Sequence, residues 1–484
     1  MPDLTVVLGL LALIFMVAAI VSNVVERAPI SFPMIFLGIG FLLGGYGLKV
    51  LQINLHDPAL QTIATLNLAF VFFLDAINLR FDFIQKNWKV PLLALGPGTL
   101  ITLVLISIIA FLVLRFSIIQ ALLIGTVLSS VDPVLLRDVV RDERISRSIR
   151  ESLKIEAGSN DLIVLPALLI LTAVALGQTS SSGGWFSYLA RLFLLGPLVG
   201  AAFGIGAAFL MQWLRTRTTI GRSYRAIYGI GVLLGAYTLG TLVGSSGFLA
   251  VFAAGLATAL LDYDICDCFL EYSEITSEMM MLLAFLLFGI VLSDIIDTVA
   301  ILPVLAFTFV VLFVARPVAI GIVLRRANLS RQARMFIGWF GPRGLSTLLF
   351  GLLLVTDGVP GGESILATAG VVVIISVVVH GVSAGPLAAN YARIVAKETL
   401  PEERVGTAAG LYTHKPVVAP RVTVQELADR LASSNPPLVL DVRSRSSYEH
   451  AVEQIPGSIR VLPDRILEWA EGKPKDQAII TYCT

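Results

Sequence analysis

Apolar residues run along most of this chain in blocks of about twenty, the length at which a helix crosses a bilayer. The blocks cover residues 4–22, 29–46, 59–79, 91–114, 118–140, 149–177, 185–214, 224–243, 247–261, 275–293, 297–324, 333–355 and 364–391. They predict an all-α polytopic membrane protein of about thirteen transmembrane helices. The first block has no basic segment ahead of it and is long enough to span, so it reads as a retained helix rather than a cleaved signal. After Ala396 the pattern turns polar. Residues 396–420 read as a linker, and 421–484 alternate helix and strand signals. There V-T-V-Q-E-L-A-D-R-L-A reads as a helix, P-P-L-V-L-D-V-R as a buried strand and A-I-I-T-Y-C as another strand. The expected organisation is a transmembrane domain over 1–395, the linker, and a partial α/β unit over 421–484 that looks cut short.

Two blocks are interrupted at matching places. The fifth carries S-S-V-D-P-V, with Asp132 before Pro133, and the twelfth carries G-P-R-G from Gly341 to Gly344. Each is the middle member of a group of three consecutive spans, and the two groups are offset by an odd number of spans. One group is therefore inverted relative to the other. Paired Pro- or Gly-broken helices in such positions point to an inverted-repeat transporter with its site near the membrane midplane.

Charge supports the span count and sets an orientation. With the N-terminus outside, inner loops hold clusters such as Arg137, Arg141, Arg144, Arg147 and Arg150, while outer loops hold only Lys49 and Arg115. That asymmetry obeys the positive-inside rule and puts the C-terminus in the cytoplasm. Apolar residues make up 56% of the chain and charged residues 14%, against roughly 25% charged in soluble domains, so most of the chain faces lipid or itself. A net charge of +1 gives no case for nucleic acid. Three cysteines are too few for a disulfide framework, and Cys266 and Cys268 have the wrong spacing for zinc, so they read as reduced thiols.

Ionisable groups at bilayer depth are costly and usually mark an ion or proton path. Here they are Asp75, Asp132, Glu156, Asp161, Arg316 and Arg343, with Asn160 beside Asp161. On a helix Glu156 and Asn160 share a face while Asp161 points well round from both. Asp161 is thus expected to face a cavity. Glu156 is expected to pair with Arg343, and Asp75 is the best unassigned carboxylate for Arg316, since burying either charge alone is expensive.

At these residues the chain resembles the monovalent cation:proton antiporters, specifically the Na⁺/H⁺ exchanger branch with an Asn-Asp motif. The resemblance covers roughly residues 1–395 and rests on D-P at 132–133, E-A-G-S-N-D at 156–161, R-P at 316–317, G-P-R-G at 341–344 and H-G-V-S-A-G-P-L at 380–387. It implies a homodimer in the lipid bilayer, of a bacterial inner membrane, each protomer having a core that moves against a dimerisation domain to alternate access. It implies no cofactor. Asp132 and Asp161 would bind the cation and H⁺ alternately, with Glu156 beside the ion or in a salt bridge to Arg343. Asn160 would stand where the electrogenic branch has a second Asp, so one-for-one electroneutral exchange is expected. Val131 stands where Thr is common and Ala157 where some relatives have Ser. Val131 still offers its backbone carbonyl, but two hydroxyls are lost. Exchange of Na⁺, and of Li⁺ with it, is the leading expectation, and K⁺, with weaker hydration, is the alternative.

The segment from Val422 resembles a rhodanese-like domain through V-L-D-V-R at 439–443, Y-E-H at 448–450, I-P-G-S at 455–458 and I-I-T-Y-C at 479–483. The resemblance makes Cys483 the sulfur-carrying cysteine. Glu453-Gln454 replace the usual G-H, and the anion-cradling loop is missing, so sulfur transfer is not expected. A membrane-anchored sulfurtransferase or redox sensor is the reading from another class. A lone anchor needs one span, which argues against it.

Overall fold

The structure, a computed structural model, describes residues 31–51, 53–79, 89–142, 144–178, 182–261, 267–327, 329–395, 422–433, 436–443, 448, 453–462, 465–470, 473 and 478–482, with isolated positions between 9 and 20. In chain order the long helices are α1 (Phe32–Leu43), α2 (Pro58–Ile77), α3 (Lys89–Leu114), α4 (Ile118–Val127), α5 (Arg147–Ala175), α6 (Gly183–Arg215) and α7 (Tyr224–Leu242). They continue as α8 (Gly247–Leu260), α9 (Thr276–Thr298), α10 (Ile301–Arg326), α11 (Arg331–Trp339), α12 (Leu345–Thr356) and α13 (Gly362–Val395). Eight of these are long and apolar enough to cross a membrane, and α1, α4, α8 and α12 are shorter apolar helices. With α11 and α12 as two halves of one span, they match the second to thirteenth expected spans one for one. The expected span over 4–22 and the linker over 396–420 lie largely outside the described residues.

Helix ends follow local chemistry. The Asp57 carboxylate accepts the Ala59 N–H at 2.9 Å ahead of Pro58, which needs no N–H in the first turn of α2. Ser117 and Gln120 close a reciprocal capping box at the start of α4. Large apolar side chains such as Leu198, Leu302 and Phe309 stand exposed along the helices, as expected of surfaces that meet lipid.

The described chain divides into two compact units. The first comprises residues 1–136, 154–323 and 338–383. In it α1 packs on α9, α2 on α8 and α9, and α6 on α7 and α8. Helix α3 packs on α4 and α10, and α4 on α5. The short helix α12 touches α2, α4, α5 and α9, so its N-terminus is carried at a crossing of several helices.

The second unit comprises residues 137–153, 324–337 and 384–484. Its helical part ties the Tyr391 hydroxyl to Ser146 at 3.4 Å and sets the Phe336 and Tyr391 rings 5.6 Å apart. Its C-terminal part is a three-stranded parallel sheet of order β2-β1-β3, with β1 at Leu438–Asp441, β2 at Ile459–Arg460 and β3 at Ile479–Tyr482. Helix α14 (Val424–Leu431) precedes it behind a Thr423–Glu426 capping box, and Leu440, Val442 and Val461 form its small core.

Candidate functional site

Both interrupted spans are non-helical where the sequence predicts. Helix α4 ends at Val127 and residues 129–133 are irregular, while residues 340–344 separate α11 from α12. A broken helix leaves backbone N–H and C=O groups without partners, and away from water each must be satisfied from elsewhere. The two breaks first satisfy each other: the Asp132 N–H donates to the Pro342 carbonyl at 3.0 Å.

Several of the remaining groups are closed by side chains, most of them from the motifs. The Asp132 carboxyl accepts the N–H of Leu345 at 2.6 Å and of Val134 at 2.9 Å, which sets its oxygens on the N-terminus of α12. Arg343 donates to the Ser130 carbonyl at 2.7 Å, and the Asn160 amide donates to the Ser129 carbonyl at 3.1 Å. Arg316 donates to the Phe340 carbonyl at 3.1 Å, just past the end of α11. The Ser376 hydroxyl accepts the Arg343 N–H at 2.8 Å, and the His380 ring meets the Trp339 carbonyl at 3.0 Å and that of Ser376 at 2.8 Å. Each spaced motif thus contributes a bond that ties the two breaks inside an apolar bundle.

The glycines of G-P-R-G share that task. A Cβ at Gly344 would overlap the Asp132 carboxylate, and one at Gly341 would overlap the Arg316 guanidinium. Gly344→Ala is therefore expected to displace Asp132 from α12 and lower stability by about 1–3 kcal/mol. Thermal melting of the purified protein checks this, with Gly206→Ala as control, because nothing lies within 4 Å of a Cβ there. Equal melting of the two variants would contradict the contact.

The ion pairs differ from those expected. Glu156 pairs with Arg316 at 2.7 Å, both side chains being almost fully buried. Arg343, expected to pair with Glu156, is instead committed to the Ser130 carbonyl, and Arg316 therefore does not pair with Asp75. The reason is local: α10 delivers Arg316 to the end of α11, where one guanidinium reaches both the Phe340 carbonyl and Glu156.

The carboxylates that remain have no basic partner among the described residues. Among the described residues no ion pair forms with Asp75, Asp132 or Asp161. Asp75, on α2, is partly buried, faces Gly158, and has Asp161 and Asp132 as its charged neighbours. Asp161 is 4% exposed and differs from Asp132 in its partners. The Ser130 hydroxyl donates to it at 2.6 Å and the Ser346 hydroxyl faces the same carboxylate, so among the described residues hydroxyls are its hydrogen-bonding neighbours. Asn160 is fully buried; its amide also reaches Thr99 at 3.1 Å, and its Oδ1 has no partner. Val131 is buried within the break, and its carbonyl accepts no hydrogen bond among the described residues. The arrangement presents carboxylate and neutral oxygens with hydroxyls that can either donate or accept, a set suited to a dehydrated cation or a proton. Ser130 and Ser346 were not singled out from the sequence, although both lie within or beside the two interrupted motifs.

In the C-terminal unit the rhodanese-like motifs converge on Asp441. Arg443 grips its carboxylate at 2.5–3.1 Å, Tyr482 donates to it at 2.8 Å, and the Tyr482 hydroxyl lies 3.1 Å from Ser458. Burial alone would raise the Asp441 pKa; the hydrogen bonds from Arg443 and Tyr482 and the guanidinium charge outweigh it and hold the carboxyl below its ordinary value. Cys483 lies outside the described residues.

The transmembrane sodium/hydrogen exchanger family matches residues 11–390, and the rhodanese-like domain family matches 423–484. The K(+)/H(+) antiporter NhaP of Alkalimonas amylolytica is 27% identical over 401 residues, covering 82% of this chain and 68% of that protein. The Na(+)/H(+) antiporter NhaG of Bacillus atrophaeus is 23% identical over 402 residues, covering 77% of this chain and 73% of that one. The structure of the sodium proton antiporter MjNhaP1 from Methanocaldococcus jannaschii at pH 8 aligns with a TM-score of 0.65 at 20% identity, over 80% of this chain and 99% of that one. With a match that takes in both breaks and Asp75, Asp132, Glu156 and Asp161, the chain belongs to the transmembrane sodium/hydrogen exchanger family, and its residues 423–484 match the rhodanese-like domain family.

Proposed function

We propose that the protein is a secondary antiporter exchanging one monovalent cation, Na⁺ or Li⁺, for one H⁺ across the membrane. The observation that carries this reading is Asp161, a buried carboxylate whose partners are hydroxyls and whose charged neighbours are other carboxylates. Such a group left ionised and bare would cost several kcal/mol, so it crosses the bilayer with either a proton or a cation. Asp132, whose carboxyl accepts two backbone N–H groups, and the Val131 carbonyl complete the site with Asp161. Asn160 carries no titrating charge, which supports electroneutral exchange. Glu156, tied to Arg316, supports the crossing. In this reading a dimer, with its N-termini outside and C-termini in the cytoplasm, alternates access by moving a core domain that contains both breaks. Since Glu453 and Gln454 depart from the rhodanese pattern, the C-terminal unit carries no sulfur-transfer activity in this reading.

K⁺ in place of Na⁺ is the second reading, supported by relatives named as K(+)/H(+) antiporters. Vesicles containing the protein and an internal pH dye decide between them, with Na⁺, Li⁺ and K⁺ added separately at clamped voltage. Proton movement driven by Na⁺ and Li⁺ supports the first reading and movement driven by K⁺ alone the second. No response to any of the three would overturn both.

A further inference from the structure

We propose that Ser130 and Ser346 are ligands of the transported cation and set which cation the site prefers. The inference rests on the exchange reading above and adds the neutral half of the coordination shell.

The two hydroxyls face one carboxylate, Ser130 from within the first break and Ser346 from just beyond the second. Ser130 is 1% exposed and Ser346 3% exposed. The Ser130 Oγ lies 2.6 Å from Asp161 Oδ1, and Ser346 faces the same group from the first turn of α12. Their backbones are fixed by other contacts, which leaves the hydroxyls free for the ion. The Ser130 carbonyl is held by Arg343, and Ser346 follows Leu345, whose N–H is fixed on Asp132.

A hydroxyl is both donor and acceptor, and its hydrogen turns about a single bond. When Asp161 is empty the Ser130 hydroxyl donates to it and the Ser346 hydroxyl faces it. When a cation sits against Asp161, rotation of each hydrogen turns a lone pair on each oxygen toward the ion, with no backbone movement. The shell then gains two neutral oxygens at the place where charge is exchanged.

Those oxygens matter because Val131 and Ala157 supply none from their side chains. Among the described residues, Ser130 and Ser346 are the hydroxyls set against Asp161. A small, strongly hydrated ion surrenders more hydration energy on entering the site than a large one, and so depends more on each replacement oxygen. Loss of the serines should therefore hurt Na⁺ and Li⁺ more than K⁺. A merely structural serine would weaken all three equally.

The test uses the full chain carrying Ser130→Ala, Ser346→Ala, both together, and Ser130→Thr, which restores a hydroxyl. Two readouts are taken for Na⁺, Li⁺ and K⁺: the concentration giving half-maximal proton flux in vesicles, and the cation-induced rise in melting temperature of the purified protein. Each alanine variant is expected to raise the half-saturating Na⁺ concentration about tenfold, with a smaller change for K⁺ and little change in maximal rate. Ser130→Thr should recover most of the loss. Equal weakening for all cations, or a fall in maximal rate alone, would overturn the proposal while leaving the exchange reading in place. If the wild-type protein moved no protons but lost its Na⁺-specific melting shift in the alanine variants, the exchange reading would fall and the ligand assignment would stand. No cation-specific shift in any form of the protein would overturn both.

Discussion

Asp161→Asn is expected to abolish cation-driven proton movement, leaving under about one hundredth of the wild-type rate, while the protein still purifies folded. Asparagine keeps the shape and can still accept from Ser130 at the same position, so the crossing should survive. What it loses is the ability to be neutralised by a proton in one half of the cycle and by a cation in the other. A bound cation would then bring an uncompensated charge into the bundle, with the several-kcal/mol cost that such burial carries. Flux measured in vesicles checks this; residual exchange above about a tenth of wild type would remove Asp161 from its assigned role.

Arg316→Met is expected to have the largest effect on stability, a loss of about 3–5 kcal/mol. It leaves the Glu156 charge unpaired, on a side chain whose Oε2 already has no hydrogen-bond partner, and removes the donor from the Phe340 carbonyl. Arg316→Met combined with Glu156→Met should recover much of the loss, because replacing both members of a buried pair by apolar groups is often close to neutral. Melting of the three proteins in one detergent tests this. An Arg316→Met variant that melts like wild type would show that the pair carries little.

Much of the transmembrane architecture was legible in the sequence because the bilayer imposes length and polarity on each span. The two breaks could be located for the same reason: Asp132-Pro133 and G-P-R-G are conspicuous in otherwise apolar blocks. The ion pairing could not be read in that way. Arg316 and Arg343 are both intramembrane arginines, and their choice of partner depends on which free carbonyl each helix delivers them to. Glu156 consequently pairs with Arg316, since Arg343 serves the Ser130 carbonyl. The serines were overlooked for a related reason. Two expected hydroxyl positions are filled by Val131 and Ala157, and hydroxyls reach Asp161 from neighbouring positions that a register-by-register reading passes over. In the C-terminal unit the strands were legible from apolar runs, whereas the convergence of Arg443, Ser458 and Tyr482 on and around Asp441 required the fold.

The central claim is that one buried carboxylate holds either a proton or a cation. It is tested most directly by counting protons released when Na⁺, Li⁺ or K⁺ binds to the purified protein in weakly buffered solution. The account predicts release of about one proton per cation bound by the wild-type protein, and none by Asp161→Asn. Cation binding without proton release, or equal release from Asp161→Asn, would contradict it.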